Sequence, residues 1–192
     1  MKKILIINGH PNKESFNYSL ANAYKNGAAL SKATITQINI IDLNFNPNLE
    51  YGYSKKIELE PDLLEAIERI KQAEHIVWVF PIWWSSYPAV MKGFIDRTFL
   101  PNIAFKYIKG KTFQKKLFKG KTARMIITSD SPYWYFKYIL KKPAINQLKK
   151  GTFGFSGIKP VKTTFISPIK GSSADFREKW LEKIKRLGEK NK

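Results

Sequence analysis

Lys3-Ile4-Leu5-Ile6-Ile7-Asn8 is an almost unbroken apolar run, and Gly9-His10-Pro11 stops it. A short run with no polar alternation reads as a strand covered on both faces, as in a parallel sheet. His75-Ile76-Val77-Trp78-Val79-Phe80, stopped by Pro81, repeats the pattern. Between the two, Ser15 to Leu30 reads as a helix with Phe16, Leu20, Ala23 and Tyr24 on one side and Ser15 as its N-cap. Thr34 to Ile41 reads as a strand, Asn44 to Glu60 as a polar loop, and Pro61 opens a helix whose apolar face is Leu63, Leu64, Ile67 and Ile70. Beyond the third strand, Pro88 to Phe99 reads as a helix and Lys121 to Thr128 as a fourth strand. Tyr133 to Lys150 is partly helical but interrupted by Pro143. Val161 to Ile166 is a fifth strand. Ser172, with Asp175 three residues on, resembles a capping box for a last helix striped by Phe176, Trp180, Leu181, Ile184 and Leu187, with Gly188 as C-cap. Regular alternation of strand and helix predicts an α/β fold: an open five-stranded parallel sheet with helices on both faces, in one domain spanning 1–192.

Composition bounds the rest. A chain of 192 residues, 43% hydrophobic and 14% aromatic, can bury a sizeable core and is not wholly disordered. No apolar run approaches the ~18–20 residues that span a bilayer. Met1 to Asn8 is too short for a signal peptide and meets no cleavage site. With 0 Cys, disulfides, thiolate catalysis and Cys-ligated metals are excluded, no metal site is expected, and a reducing cytoplasm is the expected location. The net charge of +19 is uneven. Residues 1–100 carry 11 Lys/Arg and 10 Asp/Glu, whereas residues 101–192 carry 23 and 5. Such asymmetry fits nucleic acid, an anionic membrane or an anionic small molecule, and equally a solvated basic face.

In open parallel sheets ligands sit beyond the carboxyl ends of the strands. Gly9-His10-Pro11-Asn12-Lys13-Glu14-Ser15-Phe16-Asn17 is neither G-x-G-x-x-G nor a P-loop. It still leads into a helix N-terminus, where free N–H groups favour an anion, and His10, Lys13, Ser15 and Asn17 add donors. The bland reading is a cap and a turn. After strand three, Pro81-Ile82-Trp83-Trp84-Ser85-Ser86-Tyr87-Pro88 offers two adjacent Trp residues, which either wall a flat ligand or pack under the next helix. After strand four, Thr128-Ser129-Asp130-Ser131-Pro132-Tyr133-Trp134-Tyr135 places small polar donors before aromatics. Converging at one sheet end, the three segments suit a phosphorylated planar cofactor.

With these residues in view, the sequence resembles the flavodoxin-like NAD(P)H:quinone oxidoreductases, or DT-diaphorases. The likeness lies in Gly9-His10-Pro11, Ser15-Phe16-Asn17, Asn44-Phe45-Asn46-Pro47, Phe80-Pro81-Ile82-Trp83-Trp84, the stretch Pro88 to Phe99, and Ala104-Phe105-Lys106-Tyr107. The resemblance implies a flavin, FAD or FMN, with NAD(P)H as reductant. It implies that His10, Ser15, Phe16 and Asn17 hold the flavin phosphates and that Pro81, Ile82, Trp83, Trp84 and Ser85 line the isoalloxazine ring. Thr128, Ser129 and Asp130 would bond the other edge of the ring. Phe105 and Tyr107 would wall a substrate pocket completed by the second subunit of a homodimer. Animal members carry a Tyr and a His after strand four, whereas Asp130 to Lys142 has tyrosines and no His, leaving Tyr133 and Tyr135 as catalytic candidates.

The expected activity is two-electron, ping-pong reduction of a quinone-like acceptor, with the flavin carrying the chemistry and the protein binding and orienting it. His75, at the start of strand three, reads as structural. The alternative is a flavin-binding ancillary subunit of a membrane potassium-efflux system. With no recognised nucleic-acid motif, no nucleic-acid partner is expected. The basic half reads instead as a rim that steers anionic nucleotides or places the protein near a membrane surface.

Overall fold

The computed structural model describes residues 1–55 and 57–191. Lys56, in the expected loop, and Lys192, the last residue of the expected domain, lie outside the described residues. In chain order come β1 (Lys3–Asn8), α1 (Phe16–Ala29), β2 (Thr34–Asn39), α2 (Pro61–Gln72), β3 (His75–Pro81) and α3 (Ala89–Thr98). There follow β4 (Phe105–Lys106), β5 (Lys115–Lys116), β6 (Thr122–Thr128), α4 (Pro143–Asn146), β7 (Val161–Ile166) and α5 (Ala174–Glu189).

Five strands form one parallel sheet in the order β2-β1-β3-β6-β7. The expected α/β architecture is the observed one. Chain order reverses between β1 and β3, so the crevice beyond their carboxyl ends is the switch point where such sheets take ligands. The strand pattern explains the burial. Leu5, Ile7, Ile76, Trp78, Phe80, Met125 and Ile127 point to one face, beneath α2, α3 and the chain around residues 118–158. Ile4, Ile6, Val77, Val79 and Ile126 point to the other, beneath α1 and α5. These two helices touch at Gly27 and Gly188, where a Cβ would overlap the carbonyl oxygens of Lys185 and Tyr24 respectively.

Four local expectations are corrected. The second strand ends at Asn39, not Ile41. There Asn39 Nδ2 donates to Asp42 Oδ2 (3.0 Å), and a 3-10 turn over Ile40–Asp42 competes with further pairing. The cap of α5 is Ser173, whose Oγ accepts from Phe176 N at 3.2 Å. Ser172 instead donates to Ile169 O, and Asp175 pairs with Lys179, so no capping box forms. Gly188 is not a C-cap; it lies inside α5 as a close-approach residue. A hairpin of β4 and β5, pairing Phe105 with Lys116, was not anticipated. Pro143 does interrupt the chain after β6, and wide π-helical turns flank the break at Tyr135–Ile139 and Gln147–Gly154.

The polar loop before α2 is held from below. Buried Arg97 of α3 donates through Nη2 to Glu60 Oε2 (2.8 Å) and to Glu58 O (3.3 Å). Pro47 fills the space over Gly93, where no side chain fits.

Candidate functional site

The β1 end turns at Gly9, whose N–H donates to Val79 O at 2.8 Å and ties the loop to β3. A Cβ there would lie 2.6 Å from Met91 Sδ, so the Met91 side chain of α3 packs into the space that glycine leaves. His10 Nδ1 accepts from Asn12 N at 2.9 Å. Burial lowers the ring's pKa below the usual value, outweighing that backbone bond, so the ring is neutral at pH 7. Its proton then sits on Nε2, a donor. The ring meets Trp83 edge-on, with centroids 5.4 Å apart, which joins the first loop to the second.

Ser15 caps α1: its Oγ accepts from Tyr18 N at 3.3 Å, leaving its own O–H to donate. Phe16 and Asn17 open the helix, where the first N–H groups have no intrahelical partner. Asn17 is buried, and its Oδ1 accepts from Thr128 Oγ1 at 2.8 Å, joining the first loop to the third. Asn17 Nδ2 is buried and has no hydrogen-bond partner among the described residues. An unpaired buried donor costs about 1–3 kcal/mol, so a donor in this position is suited to an anionic or carbonyl acceptor from a ligand.

The β3 end continues to Ile82, whose N–H donates to Thr128 O at 2.7 Å. Trp83 and Ser86 then exchange two backbone bonds of 2.9 Å around a two-residue turn. Trp84 and Ser85 hold φ of 48° and 62° there, left-handed values that cost non-glycine residues about 1–2 kcal/mol each. The side chain of Trp84 is fully exposed at the tip. At the β6 end, Ser129 Oγ accepts from Ser131 N at 3.1 Å and Asp130 Oδ1 accepts from Lys170 N at 2.7 Å.

His10, Ser15, Phe16, Asn17, Pro81, Ile82, Trp83, Thr128 and Ser129 therefore gather at the carboxyl ends of β1, β3 and β6, and Ser85 and Asp130 lie on the margin. The described bonds of Thr128 and Asp130 run to Asn17 and Lys170. Tyr133 packs on Phe165 with centroids 5.0 Å apart, and Tyr135 meets the edge of Trp134. Phe105 and Tyr107 sit elsewhere. They line a cavity of about 380 Å³ with Ile95, Phe99, Thr152 and Phe155, and none of the strand-end residues borders it. His75 is at the opposite end of the sheet, its Nδ1 2.7 Å from Thr122 Oγ1.

Two residues here escape a reading of the sequence. Asn8 ends β1 fully buried, its Nδ2 without a partner among the described residues, and a polar residue closing an apolar strand is the signal it leaves. Arg177, from the first turn of α5, lays its guanidinium 5.6 Å over the Phe16 ring and brings a cation beside the helix N-terminus of α1. Nothing in its spacing announces that contact.

A family model described as flavodoxin-like fold matches residues 2–189. The chain belongs to this flavodoxin-like family. It is 27% identical to mouse ribosyldihydronicotinamide dehydrogenase [quinone], across 97% of this chain and 92% of that protein. It is 29% identical to an uncharacterized NAD(P)H oxidoreductase of Haemophilus influenzae, across 86% of this chain and 83% of that one. Among solved structures, Smu.1420 from Streptococcus mutans UA159 superposes with a TM-score of 0.84 at 29% identity, covering 98% of this chain and 99% of its own. The resemblance to the flavodoxin-like NAD(P)H:quinone oxidoreductases is borne out by the family match and by these relatives. The ancillary-subunit alternative draws no support from them. Among the described residues, no helix is long and apolar enough to cross a membrane, and no group of three His, Asp or Glu could hold a metal.

Proposed function

We propose that this protein is a flavin-dependent NAD(P)H oxidoreductase that reduces quinones or similar acceptors two electrons at a time. The observation that carries the reading is the convergence of three strand-end loops on the switch point around the buried, unpaired Asn17 Nδ2. The donors fit a flavin. Ser15 O–H, the first N–H groups of α1 and His10 Nε2–H suit its phosphate, and the dipole of α1 favours that charge by ~0.3–1 kcal/mol or more. Trp83 and the backbone of Ile82 to Ser85 suit one border of a flat ring.

A flavin held there supplies the hydride chemistry. The residues would bind it and orient it. The turn at Trp84 and Ser85, with its left-handed backbone, would hold the N–H groups of these two residues in fixed directions, which would suit negative charge on a flavin bound there. Were reductant and acceptor to take the same place beside a flavin in turn, the order would be ping-pong. The separate cavity of Phe105 and Tyr107 belongs to the acceptor site of a second subunit in a homodimer.

The test is direct. Reconstituted protein is bleached anaerobically with NADH or NADPH, and a quinone restores its colour, with parallel lines in double-reciprocal plots. A loaded protein that neither nucleotide bleaches would refute the assignment.

A further inference from the structure

The π-helical segment Gln147–Gly154 carries a glycine that the fold does not explain. The chain has 11 glycines. Five hold left-handed φ, which favours glycine. At five more, a Cβ would lie 3.0 Å or less from another residue. Gly151 belongs to neither group: its φ is not left-handed, and a Cβ there would meet nothing within 4 Å. Glycine inside a helical segment is less stable than alanine, because it loses more conformational freedom on folding. An exposed position with an ordinary backbone and room around it would take almost any side chain. Gly151 is exposed and has none.

Gly151 borders the cavity of about 380 Å³ that Phe99, Phe105, Tyr107 and Phe155 line. Thr152 and Ser156 line it too, so this side of the segment faces the cavity. The Phe105 ring meets those of Phe155 and Tyr107 edge-on, with centroids 4.9 and 5.3 Å apart. Tyr107 is 70% exposed and stands at the rim. The chain has a net charge of +19, yet no Lys, Arg or His among the described residues lines this cavity. Its one carboxylate, Asp96, is held by Lys92 Nζ at 2.6 and 2.8 Å. Such a lining suits a flat, apolar, neutral ligand. The volume falls in the range of ~300–1,000 Å³ that holds drug-sized molecules, more than the single ring of benzoquinone fills.

We propose that Gly151 sets the size of the acceptor: its missing side chain leaves room for the further rings of a neutral, fused-ring quinone lying among Phe105, Tyr107 and Phe155. The proposal rests on the oxidoreductase reading, in which this cavity serves the acceptor in a homodimer. The quinone takes the hydride equivalent that NAD(P)H supplies and one proton from water, and leaves as the hydroquinone. A side chain of the second subunit is the competing occupant of the same space, and the state of assembly tells the two apart.

Wild type, Gly151→Ala and Gly151→Leu, each loaded with flavin, test it with benzoquinone and phenanthrenequinone as acceptors. In Gly151→Leu, kcat/KM for phenanthrenequinone should fall about tenfold or more, while that for benzoquinone and bleaching by NAD(P)H stay as in the wild type. Binding of phenanthrenequinone followed by calorimetry, which needs no turnover, should weaken by a similar factor. Gly151→Ala should melt no lower than the wild type. Its methyl group should give the same selectivity by a smaller factor, which decides the matter if Gly151→Leu fails to fold. Equal effects on the two quinones in an active enzyme, or no effect on either, would overturn the size rule alone. So would a lower melting temperature in Gly151→Ala, which would give the glycine a role in the fold. A monomeric Gly151→Leu beside a dimeric wild type would give the space to the second subunit and overturn it too. Inactivity of the wild type towards both quinones would instead remove the oxidoreductase reading, and the size rule with it.

Discussion

On one face of the sheet, α1 and α5 approach so closely that Gly27 and Gly188 are needed at the contact, over a layer mostly of Ile, Leu, Val and Ala with one buried ring, Tyr24. On the other, the space is filled by rings: Trp78 packs against Phe94 at 6.2 Å and Phe153 at 5.4 Å, and Phe99 meets Phe118 edge-on at 5.6 Å. The first face is a rigid pairing of two long helices, and it sets the N-terminus of α1 against β6 through Asn17 and Thr128. The second is roofed by short helices, a two-stranded hairpin and π-helical turns, held by aromatic bulk and by Arg97. The difference teaches how labour divides in the molecule. The close-packed face positions the anion-binding donors, and the irregular face carries the aromatic pocket.

Arg97→Met should reveal how far the irregular face relies on one side chain. It would leave Glu60 without its ion-pair partner, with the Asn46 N–H still on its carboxylate, and would remove the Arg97 donors from the carbonyls of Asn46 and Glu58. Breaking such a pair costs ~3–5 kcal/mol, read as a lower denaturant midpoint. A loss under ~1 kcal/mol would mean that the rings alone hold this roof.

His75 probes the lower end of the other face. Burial lowers its pKa to about 4, with Lys2, Arg124 and Lys162 adding to the effect. The unfolded chain, with the ordinary value of 6.5, binds the proton more readily, so stability is complete above pH 6.5 and falls as pH drops towards 4. The shift corresponds to about 3 kcal/mol over that window. His75→Gln should flatten the dependence, and an unchanged slope would assign it to other groups. Gly27→Ala should cost ~1–3 kcal/mol by overpacking α1 against α5. If the midpoint is unmoved, the two helices are less rigidly joined than their contact implies.

These contrasts also explain what could be read from the chain itself. β1, β3, α1 and α2 follow from local pattern, because continuous apolar runs and a 3.6-residue stripe declare their own burial, although Leu64, expected on the apolar face of α2, is exposed and Ala66 takes its place beside Leu63, Ile67 and Ile70. The Ser15 cap was legible for the same reason. The choice between Ser172 and Ser173 was not, since adjacent serines offer the same chemistry and tertiary contacts select one. Strands of two residues, β4 and β5, are too short for periodicity to exist. The π-helical turns carry Phe136 and Phe153 against Phe165 and Trp78 of the sheet, contacts that spacing does not encode. At the candidate site, the residue types in each loop could be read in advance. Their meeting could not: the His10–Trp83 contact, the Asn17–Thr128 bond and the place of Arg177 depend on strand order and on the position of α5.

The central claim is that three loops at the β1–β3 switch point form one flavin site, and titrating the purified chain with FMN and with FAD tests it most directly. The account predicts uptake of one flavin per chain with quenching of its fluorescence beside Trp83. Asn17→Ala should weaken that affinity about tenfold, as the loss of one buried hydrogen bond implies. Uptake of neither FMN nor FAD by the folded wild-type protein would contradict it.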